Sequence, residues 1–146
     1  MVCLGNICRS PLAQAILESK VDSEKVEVDS AGTSDYHVGD LPDDRSLNTG
    51  KRFQLDLSKQ RGRQFTVSDF DEFDYIFVMD RSNFNDVLSL ARNEADKAKV
   101  SMILDKVSPN ENHEVPDPYY GKGEEGFLKV YELLDAACDR IAKELS

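Results

Sequence analysis

The sequence predicts an α/β fold in which a parallel sheet is covered by helices on both sides. Three observations carry that prediction. Apolar runs of strand length alternate along the chain with segments of helical period. The run Tyr75-Ile76-Phe77-Val78-Met79 is continuously apolar, as a strand buried on both faces requires. The last segment, residues 123–145, sets Phe127, Val130, Tyr131, Leu134, Cys138, Ile141 and Leu145 on one stripe of a long helix.

The elements follow in order. Residues 11–20 carry Leu12, Ile16 and Leu17 at helical spacing. Lys25-Val26-Glu27-Val28-Asp29 alternates like a strand and ends in a turn at Ser30-Ala31-Gly32. Residues 44–53 read as a helix, with Asp43 or Asp44 near its start. After the central strand comes a helix over residues 82–92, then a short strand at Val100-Ser101-Met102-Ile103. Cys138 lies on the apolar stripe of the last helix and reads as core. No repeat, linker or low-complexity stretch interrupts the 146 residues, so a single domain over 1–146 is expected.

The chemistry is concentrated in Cys3-Leu4-Gly5-Asn6-Ile7-Cys8-Arg9-Ser10-Pro11. A thiol and a guanidinium at this spacing can close a loop around one tetrahedral oxyanion, with the intervening N–H groups turned inward. Ser10 and Pro11 read as N-cap and first residue of a helix whose positive end adds to the anion site. A Cys at such a place is stabilised as thiolate, with a pKa below its free value. Gly5 is expected to allow the sharp turn, Asn6 to brace the loop through its amide, and Ser10 to hydrogen-bond the sulfur. The implied reaction is attack by Cys3 on a phosphoryl group held by Arg9 and the loop amides.

Composition bounds the rest. A formal charge of −10 argues against nucleic-acid binding, which calls for a basic stripe. An anion site in so acidic a chain must be local, built from Arg9, loop amides and a helix terminus. Mean hydropathy is −0.50 and no apolar run is long enough to span a bilayer, so no membrane role and a cytosolic home are expected. Three cysteines do not make a disulfide scaffold, and no Cys or His cluster suggests a metal; no cofactor is expected. His37 and His113 stand alone and read as ordinary loop residues.

The chain resembles the low-molecular-weight protein tyrosine phosphatases. The resemblance rests on Val2-Cys3-Leu4-Gly5-Asn6-Ile7-Cys8-Arg9-Ser10-Pro11, on Val115-Pro116-Asp117-Pro118-Tyr119-Tyr120, on Asp29-Ser30-Ala31-Gly32-Thr33 and on Met79-Asp80-Arg81-Ser82-Asn83. It implies a three-layer sandwich around a four-stranded parallel sheet of order 2-1-3-4. In that family a full apolar strand leads into the phosphate loop, whereas only Met1 and Val2 precede Cys3 here. Either Met1 is an internal methionine of that strand, the favoured expectation, or the short start is real and weakens or disables the protein.

By the same resemblance Cys3 is the nucleophile, Arg9 binds phosphate, Ser10 helps the thiolate leave, and Asp117 is acid and then base. Asp117 read alone is also a turn-forming residue between two prolines. Leu4, Gly5, Asn6, Ile7, Cys8, Tyr36, Tyr119 and Tyr120 would contact substrate, the aromatic and apolar ones shaping a cleft deep enough to select phosphotyrosine over phosphoserine. Ser30 matches a position that holds the loop, and Asp80 one that pairs with the loop or its Arg, or else caps the following helix. Cys8 is either a small hydrophobe under the loop or, as in the family, the redox partner that shields Cys3. One departure is visible: relatives carry a His before the Arg-Gln that matches Arg63-Gln64, and this chain has Gln60 nearby instead.

Phosphotyrosine proteins follow as partners, with a tyrosine kinase as one candidate. Three rival readings stand. An arsenate reductase would need further cysteines, and none lies between Met79 and Pro118. A protein-arginine phosphatase would carry Thr at Ile7 and lack the paired tyrosines. A non-catalytic phospho-ligand binder would keep the amide cradle but not the catalytic geometry.

Overall fold

The computed structural model describes residues 1–121 and 123–146. Four strands, β1 Val2–Cys3, β2 Ala31–Gly32, β3 Ile76–Val78 and β4 Val100–Met102, form one parallel sheet in the order β2-β1-β3-β4. This is the order implied by the resemblance. Val2 pairs with Ala31 on one side and Val78 on the other, and Ile76 pairs with Val100.

Six α-helices cover the sheet: α1 Arg9–Glu18, α2 Asp44–Arg52, α3 Asp69–Glu72, α4 Arg81–Leu88, α5 Glu94–Ala98 and α6 Glu125–Leu145. Alternate strand residues point to opposite faces. Cys3, Phe77 and Met79 therefore join Leu12 and Ile16 of α1 and Leu134, Cys138 and Ile141 of α6 in one core. Val2, Ile76 and Val78 meet Phe70 of α3 and Val87 of α4 in the other. The α6 stripe is buried as predicted, with Phe127, Leu134, Cys138 and Ile141 at 1% exposure or less. Each large apolar side chain so placed contributes about 2 kcal/mol. Among the described residues no helix is long and apolar enough to cross a membrane.

Three local expectations are corrected. Residues 25–29 are not a strand; β2 is Ala31–Gly32, part of the segment read as a turn. The ladder explains this. Met1 donates its terminal N–H to Asp29 O at 3.0 Å, and the Ala31 and Thr33 N–H groups donate to Met1 O and Cys3 O. Asp29 O, Ala31 N–H and Thr33 N–H hold the rungs to β1 and Met1, and residues 25–28 make no ladder pairing among the described residues. Secondly, α1 starts at Arg9 and is not capped by Ser10; Cys8 holds the N-cap position without a side-chain hydrogen bond. Thirdly, the helix read over residues 82–92 ends at Leu88, and α5 follows, capped by the Asn93 side chain on the Asp96 N–H.

Residues 25–29 and 73–77 face each other across a groove of about 400 Å³ that Met1 and Val2 also line.

Candidate active site

The opening run folds into a tight loop from the end of β1 to the start of α1. Its sharp bend lies at Asn6, with φ of 56°, and not at Gly5. Asn tolerates this left-handed conformation better than most side chains. Gly5 has a different constraint: a Cβ there would come within 3.1 Å of the His37 ring. Gly32, beneath the loop, is more tightly held, since its Cβ would meet Leu4 O at 2.9 Å.

A buried hydrogen-bond network fixes the bend. The Asn6 amide donates to Ser10 Oγ at 2.7 Å and Ser30 Oγ at 3.0 Å, and Ser30 donates onward to Gln14 Oε1. Asn6 Oδ1 accepts from the Arg63 backbone N–H at 3.1 Å. Gln60, read from the sequence as standing near this network, donates instead to the Pro11 carbonyl of α1 at 3.0 Å. Ser10 Oγ lies 3.1 Å from Cys3 Sγ and 3.5 Å from Ala31 O. Because Asn6 occupies an acceptor lobe of this hydroxyl, its single proton is free for the sulfur, the nearer acceptor. That engagement explains why Ser10 does not cap α1.

The loop leaves its donors free. No backbone N–H of residues 5–9 has an acceptor among the described residues, and the first turn of α1 holds no acidic side chain. Together they form an anion cradle at a helix N-terminus. Arg9, 2% exposed, completes it. Its Nη1 donates to Asp80 Oδ2 at 2.7 Å and Val115 O at 3.0 Å, and its Nη2 lies 3.6 Å from Asp117 Oδ2. Burial opposes the guanidinium charge, but Cys3, Asp80 and Asp117 outweigh it and raise the Arg9 pKa. Arg9 Nε is buried without a partner among the described residues, so the fork keeps donors for an oxyanion. Asp80 plays both expected parts, because its Oδ1 also caps α4 on the Asn83 N–H.

One pocket brings the predicted residues together. Cys3, Leu4, Gly5, Ile7, Cys8, Arg9, Tyr36, Asp117, Tyr119 and Tyr120 line it, and Asn6, Ser10, Ser30 and Asp80 stand behind it. His37, read from sequence as an ordinary loop residue, is also in the wall, 6.5 Å from the Tyr119 ring. His113 is exposed and apart from it. Cys8 packs with Ile7 and Phe127, and burial pushes its thiol pKa far up, the behaviour of a small hydrophobe. Among the described residues no group of three or more His, Cys, Asp or Glu side chains is placed to hold a metal.

The sequence model for low molecular weight phosphotyrosine protein phosphatases matches residues 1–146. The chain belongs to that family. It is 40% identical to low molecular weight phosphotyrosine protein phosphatase 1 of Drosophila melanogaster, over 99% of this chain and 94% of that one. It superposes on a protein tyrosine phosphatase of Entamoeba histolytica with a TM-score of 0.91 at 40% identity, covering 99% and 93% of the two chains. The Drosophila arginine phosphatase is also similar, with a TM-score of 0.88 at 32% identity over 98% and 94%.

A pair that the sequence did not advertise ties the two halves of the site together. Asp43 caps α2 and donates its own N–H to Ile7 O in the phosphate loop. Its carboxylate holds Arg45 through both Nε and Nη2, at 3.0 and 3.1 Å. Arg45 in turn donates to Tyr119 O and Gly121 O and lies 4.7 Å over the Phe127 ring. The loop that carries Asp117 is thereby strapped to the loop that carries Cys3.

Proposed function

We propose that this chain is a protein tyrosine phosphatase that works through a cysteinyl-phosphate intermediate. The observation that supports it best is the convergence of a buried sulfur, a guanidinium whose Nε lacks a partner among the described residues and a carboxylate on one small pocket. The phosphoryl oxygens accept from the loop N–H groups and Arg9. Cys3 Sγ attacks phosphorus in line with the departing phenolate, and Asp117, protonated, gives that oxygen its proton. The same carboxylate then takes a proton from water, whose oxygen attacks phosphorus and breaks the S–P bond. Ser10 stabilises the thiolate as it leaves through its free hydroxyl proton.

The walls argue for an aryl substrate. Tyr36 and the perpendicular pair Tyr119 and Tyr120, ring centroids 5.1 Å apart, flank the entrance, with Leu4 and Ile7 below. A flat ring spans the depth between rim and sulfur, which the shorter arm of phosphoserine does not reach. Ile7 and the paired tyrosines favour phosphotyrosine over phosphoarginine. Rapid quenching during turnover of p-nitrophenyl phosphate should trap one phosphoryl group on the peptide containing Cys3. Turnover without phosphate on that peptide would overturn the mechanism.

The strap has its own consequence. Arg45→Ala should slow turnover of phenyl phosphate about tenfold, because a loosened carboxylate is misplaced for proton transfer. Inhibition by inorganic phosphate should barely change, since Arg45 does not touch the cradle. Steady-state kinetics with inhibition by phosphate separate the two effects.

A further inference from the structure

Beside the pocket runs a second, shallower groove of about 490 Å³, continuous with it because both are lined by Leu4 and Tyr36. Its apolar side consists of Leu4, Phe65, Val87 and Leu90, the last 41% exposed. Its polar side carries Asp35, just beyond β2, and Asp86 on α4. Several other surface carboxylates pair with cations: Asp40 with His37, Asp43 with Arg45, Asp71 and Asp96 with Arg92, Asp135 and Asp139 with Lys20. The carboxylates of Asp35 and Asp86 have no such partner among the described residues, and no described Lys or Arg lines the groove.

We propose that this groove is a substrate subsite for the chain that flanks phosphotyrosine, selecting segments with a Lys or Arg and an apolar residue close to it. Because the groove adjoins the pocket at Leu4 and Tyr36, it is met by the residues that flank the phosphotyrosine. The subsite rests on the phosphatase reading and adds what that reading leaves open. The cradle draws the phosphate by local positive charge, while the groove repels acidic flanks and accepts basic ones. Selectivity then comes from a repulsive element as much as from an attractive one.

Two phosphotyrosine peptides that differ only in Lys against Glu at the flanking positions test this, with p-nitrophenyl phosphate as a third substrate. The Lys peptide should have the higher kcat/KM by about tenfold at low ionic strength. The preference should shrink severalfold at about 0.5 M salt. The double variant Asp35→Asn, Asp86→Asn should flatten it to about twofold, leaving p-nitrophenyl phosphate turnover unchanged. Turnover of the aryl phosphate with equal use of both peptides, or a preference that survives the double substitution, would overturn the subsite alone. Absence of aryl phosphate turnover in the parent chain would overturn the phosphatase reading, and the subsite with it.

Discussion

Cys3→Ser is expected to lower turnover of p-nitrophenyl phosphate by about 10⁴-fold or more, without unfolding the protein or emptying the cradle. The substitution changes one atom at a site that is 2% exposed and 3.1 Å from a hydroxyl, where a serine oxygen can still hydrogen-bond. What it removes is the sulfur nucleophile. An alcohol there has no base within the network to activate it, because Asn6 donates to Ser10 and Ser10 donates toward the sulfur. The free N–H groups of residues 5–9 and the Arg9 fork are untouched. Calorimetry should therefore find inorganic phosphate bound by the variant within severalfold of the parent affinity. Activity within tenfold of the parent would remove Cys3 from the mechanism.

The second large effect is expected at Asp117. Asp117→Asn should reduce turnover about 10²–10³-fold, and the loss should depend on the leaving group. Phenolate needs a proton as it departs, whereas p-nitrophenolate leaves well without one. The deficit should then be clearly greater with phenyl phosphate than with p-nitrophenyl phosphate. Asparagine keeps the turn, because its oxygen can still accept the Tyr119 N–H that Asp117 Oδ1 accepts at 3.0 Å. Hydrolysis of the cysteinyl-phosphate loses its base as well, so a presteady-state burst should grow in the variant. A uniform loss across leaving groups would assign Asp117 to positioning alone.

The parts of this site that could be read from the sequence are those in which the chemistry is contiguous. Cys3, Arg9 and Ser10 share one loop, whose spacing announced them, whereas Asp117, Tyr119 and Tyr120 share another, which the resemblance to the family singled out. Details set by tertiary partners were read less well. Ser10 is a good capping residue by propensity, but the sulfur and Asn6 claim its hydroxyl and leave the helix end to the anion. The bend fell to Asn6 because that amide must reach Ser30 and Arg63 at once. Residues 25–28 have strand alternation but make no ladder pairing among the described residues, and pairing outweighs propensity. The Asp43–Arg45 strap joins α2, the phosphate loop and the acid loop, and nothing in any one segment signals it. His37 entered the pocket wall because Gly5 leaves room for its ring, a contact no spacing rule encodes.

Sheets ordinarily fray from their outer strands. Here the strand that leads into the active site, β1, lies inside the sheet and pairs with β2 on one side and β3 on the other. Releasing β1 breaks the Val2 O and Cys3 O rungs to the Met79 and Thr33 amides and frees the loop that follows Cys3. Cooperative unfolding and the active site thus share a boundary. An oxyanion in the cradle holds the loop, the loop holds β1, and β1 holds the middle of the sheet together. Thermodynamic linkage then makes ligand occupancy a stabiliser of the whole molecule, with hydrogen exchange at Met79 and Thr33 as its most sensitive reporter.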